Sequence, residues 1–286
     1  MKQWITILLC LGFTSLHAQD SSRICEKQLA VLKDAVKNGE TFFIKVHAAE
    51  ALLNHMHKEN LELQFLNLRK VPENNIGASR VLAKTNNANR QRYVTEIIHA
   101  LHSDTTMVRL TALESLGKLN YFFFTDTIKG YADTGTLGFR PMARWVLSND
   151  KTKASENQLA ALLKSNDSLD YRYAAYAFSY KEKVLPETLA LLKECYARIS
   201  ATDAAKVYLA SSIFLHSPQT ERPEAKKKLL QFQDGNPGQL YELCEALSVA
   251  GSPEDVDMLM NIANHESRDV RVAAANALLF ILNCKI

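Results

Sequence analysis

The sequence predicts an all-α protein, an α-solenoid of about eight helix pairs. Three observations predict it: a helical frame that recurs along the chain, a second apolar helix pattern between its copies, and no strand or hairpin signal anywhere. The frame is clearest in "DVRVAAANALLFI", Asp269 to Ile281. Alanine loses no side-chain entropy in a helix, and its small side chain lets a neighbouring helix come close. Val270, Ala274, Ala277, Leu278 and Ile281 fall at i, i+4, i+7, i+8 and i+11, one stripe of a helix. The opposite side, with Val272, Ala273 and Asn276, reads as less committed. Asp269 falls in the first turn, where a negative charge favours the helix dipole.

The same frame, apolar–basic–x–x–Ala–x–x–x–Leu, recurs upstream. It runs as "IKVHAAEAL" from Ile44, "VRLTALESL" from Val108, "FRPMARWVL" from Phe139 and "YRYAAYAFS" from Tyr171. "AKVYLASSI" from Ala205 carries Leu209 in the alanine slot. Two copies lack the basic residue, "NNIGASRVL" from Asn74 and "QLYELCEAL" from Gln239. The copies lie about 30 to 34 residues apart, a period that does not drift.

Between copies lies a partner helix. In "SPEDVDMLMNIANHE", Ser252 suits the cap, Pro253 the first helical position, and Asp255 can reach back as the third residue. Val256, Leu259, Met260 and Ile262 or Ala263 then form its buried side. "LPETLALLKECY", Leu185 to Tyr196, and "NRQRYVTEIIHAL", Asn89 to Leu101, play the same part. Each unit therefore reads as helix, turn, helix.

These paired helices, the Asp-Val-Arg or Asp-x-x-x-Arg opening and the Ala…Leu core of the second helix resemble HEAT repeats. The resemblance covers nearly all of residues 19–286, read as one domain. It implies a curved, right-handed stack whose second helices line the concave side, and it implies binding far more often than catalysis.

The first twenty residues, "MKQWITILLCLGFTSLHAQD", read as a secretory signal peptide: Lys2, a short apolar run from Trp4 to Phe13, then small and polar residues up to Ala18. Cleavage after Ala18 gives a periplasmic or secreted protein. Removing residues 1–18 removes Lys2 and lowers the net charge from +3 to +2. That near-neutral balance gives no global field for nucleic acid or acidic lipid, and the apolar run is too short for a membrane span.

No catalytic motif is present: no G-x-S-x-G, phosphate loop, HExxH or Cys-x-x-Cys. His47, Glu50, His55 and His57 do not converge as a zinc site requires, and read as surface histidines near a helix end. His99 and His102 lack a third ligand. Lys226, Lys227 and Lys228 read as a solvated run between helices. No metal, cofactor or catalytic residue is expected.

What remains is the face of the second helices. The frame positions that should face the concavity carry His47, Glu50 and Glu114, then Met142 and Trp145, Tyr173, Tyr208, and finally Tyr241, Glu242 and Glu245. Four consecutive copies carry an aromatic there, and exposed aromatics bury large area at low entropic cost. Trp145, Tyr173, Tyr208 and Tyr241 are therefore expected as a partly exposed platform, with Trp145 its strongest contributor. The alternative is that they pack between neighbouring helices, since a one-position register change rotates each by about 100°. Tyr171, Tyr176 and Tyr180 read as packing residues, and "YFFF", Tyr121 to Phe124, as a wedge under a turn.

The leading functional expectation is a secreted, non-enzymatic scaffold that binds a protein or peptide partner along the concave face. The alternatives are a glycan-binding accessory protein of a polysaccharide-utilisation system, because Trp and Tyr platforms also stack on sugars, and an enzyme with an unrecognised site. Four cysteines remain after export, Cys25, Cys195, Cys244 and Cys284. In a repeat stack each unit touches only its neighbours, so all four are expected to be unpaired and mostly buried.

Overall fold

A computed structural model describes residues 21–284. The chain is all-α, with sixteen helices and no strand among the described residues. Residues 1–18, which the sequence reading takes as a signal peptide, lie outside the described residues, and no described helix is long and apolar enough to cross a membrane. The chain divides into two compact units. One comprises its two ends, Met1–His57 and Leu247–Ile286, and the other Lys58–Ala246.

Every copy of the recurring frame falls on an even-numbered helix. In the second unit these are α4 (Asn75–Thr85), α6 (Thr106–Lys118), α8 (Phe139–Leu147), α10 (Ser168–Ser179), α12 (Lys206–His216) and the start of α14 (Pro237–Ala250). From α4 to α12 each packs on the next. The odd-numbered partners are α3 (Leu61–Leu68), α5 (Arg90–His99), α7 (Asp126–Thr134), α9 (Lys153–Ala160), α11 (Pro186–Arg198) and α13 (Arg222–Leu230). Of these, α3, α7, α9, α11 and α13 pack on flanking even-numbered helices, and α5 packs on α4 and α6. The small frame residues explain the close stacking. Ala78, Ala112, Ala143, Ala174, Ala175 and Ala210 are all completely buried.

The basic frame residue recurs for a local reason. The last carbonyls of a helix have no partner within it. Lys206 Nζ donates to the carbonyls of Tyr196 and Ile199 at the end of α11. Arg140 instead reaches forward, pairing its Nε and Nη2 with Asp170 of α10 at 3.1 and 2.5 Å. The lysines 226–228 lie within α13, not between helices. "YFFF" forms the α6–α7 loop, yet Phe122 and Phe124 are 44% and 60% exposed, so they do not wedge under the turn. Tyr121 is instead held by its carbonyl to Asn149 and by its hydroxyl to Gln91.

The first unit joins the chain's ends. It contains α1 (residues 21–38), α2 (Phe42–Asn54), α15 (Val256–Ile262) and α16 (Arg268–Ile281). The cap at Ser252 forms as the sequence implies: Ser252 accepts from the Asp255 backbone, and Asp255 accepts from the Ser252 backbone. The helix α16 packs against both α15 and α2. Val272, Ala273 and Asn276, expected to be loosely placed, are therefore buried at 4% exposure or less. Across the α2–α16 contact, His47 Nδ1 meets Asp269 Oδ1 at 2.8 Å and His55 Nε2 meets Asn276 Oδ1 at 3.1 Å. These two histidines are part-buried bonding groups, not scattered surface residues. Burial lowers the His55 pKa, against the bonds from Asn276.

This seam corrects the cysteine expectation. Cys25 and Cys284 form a disulfide, with Cα atoms 5.8 Å apart across 259 residues of sequence. The expectation assumed that the first repeat has no neighbour except the second. Here α2 has α16 as a neighbour, and the helix before it brings Cys25 to the chain end. Cys195 and Cys244 are free and buried, as expected.

Candidate functional site

The residues that gather chemistry lie on even-numbered helices of the second unit. From α6, Glu114 and Lys118 are one turn apart and bond directly, Lys118 Nζ to Glu114 Oε1 at 2.9 Å. From α10, Tyr176 Oη donates to the same Glu114 oxygen at 2.6 Å. Burial alone would raise the Glu114 pKa. The charges of Lys118 and Arg80 and the bonds from Tyr176 and Lys118 outweigh it and hold Glu114 down at about 2. It is a fixed anion throughout the physiological range.

Aromatic rings surround that ion pair. Lys118 Nζ lies 4.9 Å from the Tyr180 ring centroid and 5.5 Å from that of Tyr176, a cation–π arrangement. Trp145 of α8 meets Tyr176 edge-on at 5.8 Å and Tyr180 at 5.5 Å. Tyr176 also meets Tyr208 of α12 edge-on at 5.5 Å. The cluster is possible because Gly117 has no side chain: a Cβ there would fall 2.5 Å from the Trp145 ring. Tyr176 and Tyr180 remain half-buried, and burial pushes both phenols up.

Glu242 of α14 is in the opposite state. It is 3% exposed. Burial pushes its carboxyl up to about 8; the Ser211 hydroxyl pulls the other way and the nearby Glu245 charge adds to the rise. Glu242 is therefore mostly protonated at neutral pH, while Glu114 is ionised. Environments that drive two carboxyls apart in this way mark a candidate functional site. Next to it, the Tyr208 phenol is raised by burial and by Glu242, against the influence of Arg172.

The residues of the expected platform differ in burial. Trp145 is completely buried and Met142 is 4% exposed. Neither can offer a surface to a ligand, which removes Trp145 as the strongest contributor. The register places the indole over Gly117 of α6, the preceding even-numbered helix, where it packs. Glu242 is likewise inside. Tyr173, Tyr208, Tyr241 and Glu245 are half-buried. Tyr173 leans on the loop before α8, where a Cβ on Gly138 would come within 2.7 Å of its ring, and Gly138 has a φ of +88° that suits glycine.

Sequence reasoning missed Lys118, Arg172 and Ser211, and it placed Tyr176 and Tyr180 as packing alone. The signal was available for two of them. Tyr176 lies four residues after Arg172 and Tyr180 four after Tyr176, a single helical stripe. No group of three or more metal-binding side chains is present among the described residues.

No family model and no curated protein matches the chain. A solved structure described as an engineered protein, a Northeast Structural Genomics Consortium target, is similar at 14% identity. The match covers 89% of this chain and 96% of that one with a TM-score of 0.34.

Proposed function

We propose that the chain is an exported, non-enzymatic scaffold, a right-handed α-solenoid of HEAT-like helix pairs. It binds a protein or peptide segment along the inner surface made by α6, α10, α12 and α14. The observation that carries this reading is the cluster itself. Half-buried Tyr176, Tyr180, Tyr208, Tyr241 and Glu245 lie on three inner helices, α10, α12 and α14, or just beyond their ends. Aromatic side chains next to fixed charge supply the anchors on which protein interfaces depend. The Cys25–Cys284 disulfide supports export, because such bonds persist in oxidising compartments.

The test is capture from a cell-envelope extract on the immobilised chain and on a Tyr208→Ala/Tyr241→Ala variant. The reading expects one protein to be retained by the native chain and at least about tenfold less by the variant, the loss of a hot-spot contact of about 1.4 kcal/mol or more. Equal retention contradicts it. Binding to a defined oligosaccharide with no protein retained replaces it with the glycan reading.

A further inference from the structure

The loop between α6 and α7 holds Tyr121, Phe122, Phe123 and Phe124, none of which belongs to the inner surface described above. The rings pair two residues apart on both sides of the backbone. Tyr121 meets Phe123 at 6.3 Å between centroids, and Phe122 meets Phe124 at 6.5 Å. Exposure alternates in step: Phe122 and Phe124 are open at 44% and 60%, while Tyr121 and Phe123 are half-buried. A period of two is the period of a β-strand. Thr125, at the end of the run, has the extended φ of −135° and ψ of 164°. The run is therefore a short strand with no sheet around it.

Its two edges differ. The N–H and C=O groups of successive strand residues point to opposite edges. The Tyr121 carbonyl accepts from Asn149 at 3.4 Å, so the edge carrying Tyr121 and Phe123 faces the segment after α8. On the other edge, no group among the described residues bonds to the backbone of Phe122 or Phe124. An unpaired edge is a template for a further strand, and charged side chains are what usually blunts one. No charged residue lies between Lys118 and Asp126.

The partner that fits this edge is the same edge. A two-fold axis through Phe123 sets Phe122 opposite Phe124 of a second copy. Each such pair is then a hydrogen-bonded antiparallel pair, in which both residues exchange their N–H and C=O bonds. Directly opposed residues share one face, so the exposed rings of the two copies meet as aromatic cross-strand neighbours. A two-fold contact of this kind closes on itself. We propose that the α6–α7 loop is a self-association site, at which two copies of the chain join Phe122–Phe124 as an antiparallel strand pair. So short a contact buries less than a standard stable interface, and the dimer is accordingly weak and concentration-dependent.

The experiment is sedimentation equilibrium of the full chain from about 10 μM to about 1 mM, with amide exchange read by NMR at both ends of the range. The native chain should pass from monomer towards dimer. The Phe122 and Phe124 amides should gain at least about tenfold protection in the concentrated sample, and the Phe123 amide, on the other edge, should not. Phe122→Glu/Phe124→Glu sets like charges opposite each other and should weaken association at least about tenfold. Phe122→Glu/Phe124→Lys sets opposite charges across the same register and should associate about tenfold more tightly than the double glutamate. Both substituted side chains are exposed, so each variant should keep the native circular dichroism spectrum. A monomer throughout the range overturns the proposal. So does a dimer whose Phe122 and Phe124 amides exchange as in the monomer, and so does equal association of the two variants. A chain that stays monomeric and instead sediments with phosphatidylglycerol vesicles through Phe122 and Phe124 assigns the rings to a lipid surface and overturns it too. None of these results alters what the extract experiment says of Tyr208 and Tyr241.

Discussion

Glu114 keeps its charge because Lys118, Arg80 and Tyr176 face it; Glu242, more deeply buried at 3% exposure, is neutral because burial is not offset by a bonded cation. The two make opposite predictions for stability against pH. The Glu114 pKa is depressed in the fold, so its contribution is full above the unfolded value near 4.5 and is lost as pH falls towards about 2. Glu114→Gln should cost about 2 kcal/mol at pH 7, because Lys118 loses its anion in a crowded site, and should flatten the acid limb of a melting-temperature curve. The Glu242 pKa is raised, so the unfolded chain releases this proton first and stability falls as pH rises from about 4.5 to about 8. Glu242→Gln should remove that fall and melt higher than the native chain at pH 9; a lower melting temperature there would count against a buried neutral acid. Gly117 gives a third prediction. Alanine favours helices by up to about 1 kcal/mol over glycine, but its Cβ would meet a fully buried indole at 2.5 Å. Overpacking should win, with Gly117→Ala destabilising by about 1–3 kcal/mol in denaturant melts.

The helices themselves were legible. All eight frames fall on even-numbered helices, because alanine spacing and apolar period are properties of a local stretch and need no knowledge of what lies across from it. The caps were legible for the same reason, as at Ser252 and Asp255. What each helix meets was not. The helix α16 reads as one-sided, but α2 covers its other side and buries Asn276 beside His55. Trp145 occupies the expected frame position, yet Gly117 on α6 turns that position into core. The arginine slot was visible as a repeat, while its separate duties, Arg140 to Asp170 and Arg172 against Tyr208, depend on neighbours about thirty residues away.

The Cys25–Cys284 bond joins positions that sequence order places furthest apart. Repeat periodicity describes successive neighbours and carries no information on whether first and last elements meet, so the inference of unpaired thiols failed there and held for Cys195 and Cys244. A disulfide that closes so long a loop restricts the unfolded chain strongly. Cys25→Ser should therefore cost about 2–5 kcal/mol, read as earlier loss of protection in α1, α2 and α16 during urea-titrated hydrogen exchange. Non-reducing peptide mass spectrometry should recover the Cys25–Cys284 pair from the native protein; finding both thiols free would contradict the seam between α2 and α16.

The near-neutral charge, +3 over the full sequence, leaves the protein without a long-range field, so recognition has to come from local surface chemistry. That places the weight of the account on α6, α10, α12 and α14. The most direct measurement is hydrogen exchange of the chain alone and with its captured partner. The account predicts new protection in α6, α10, α12 and α14 around Lys118, Tyr176, Tyr208 and Tyr241, with α11 and α13 unchanged. Protection confined to α11 and α13, with the inner helices exchanging as in the free chain, would contradict it.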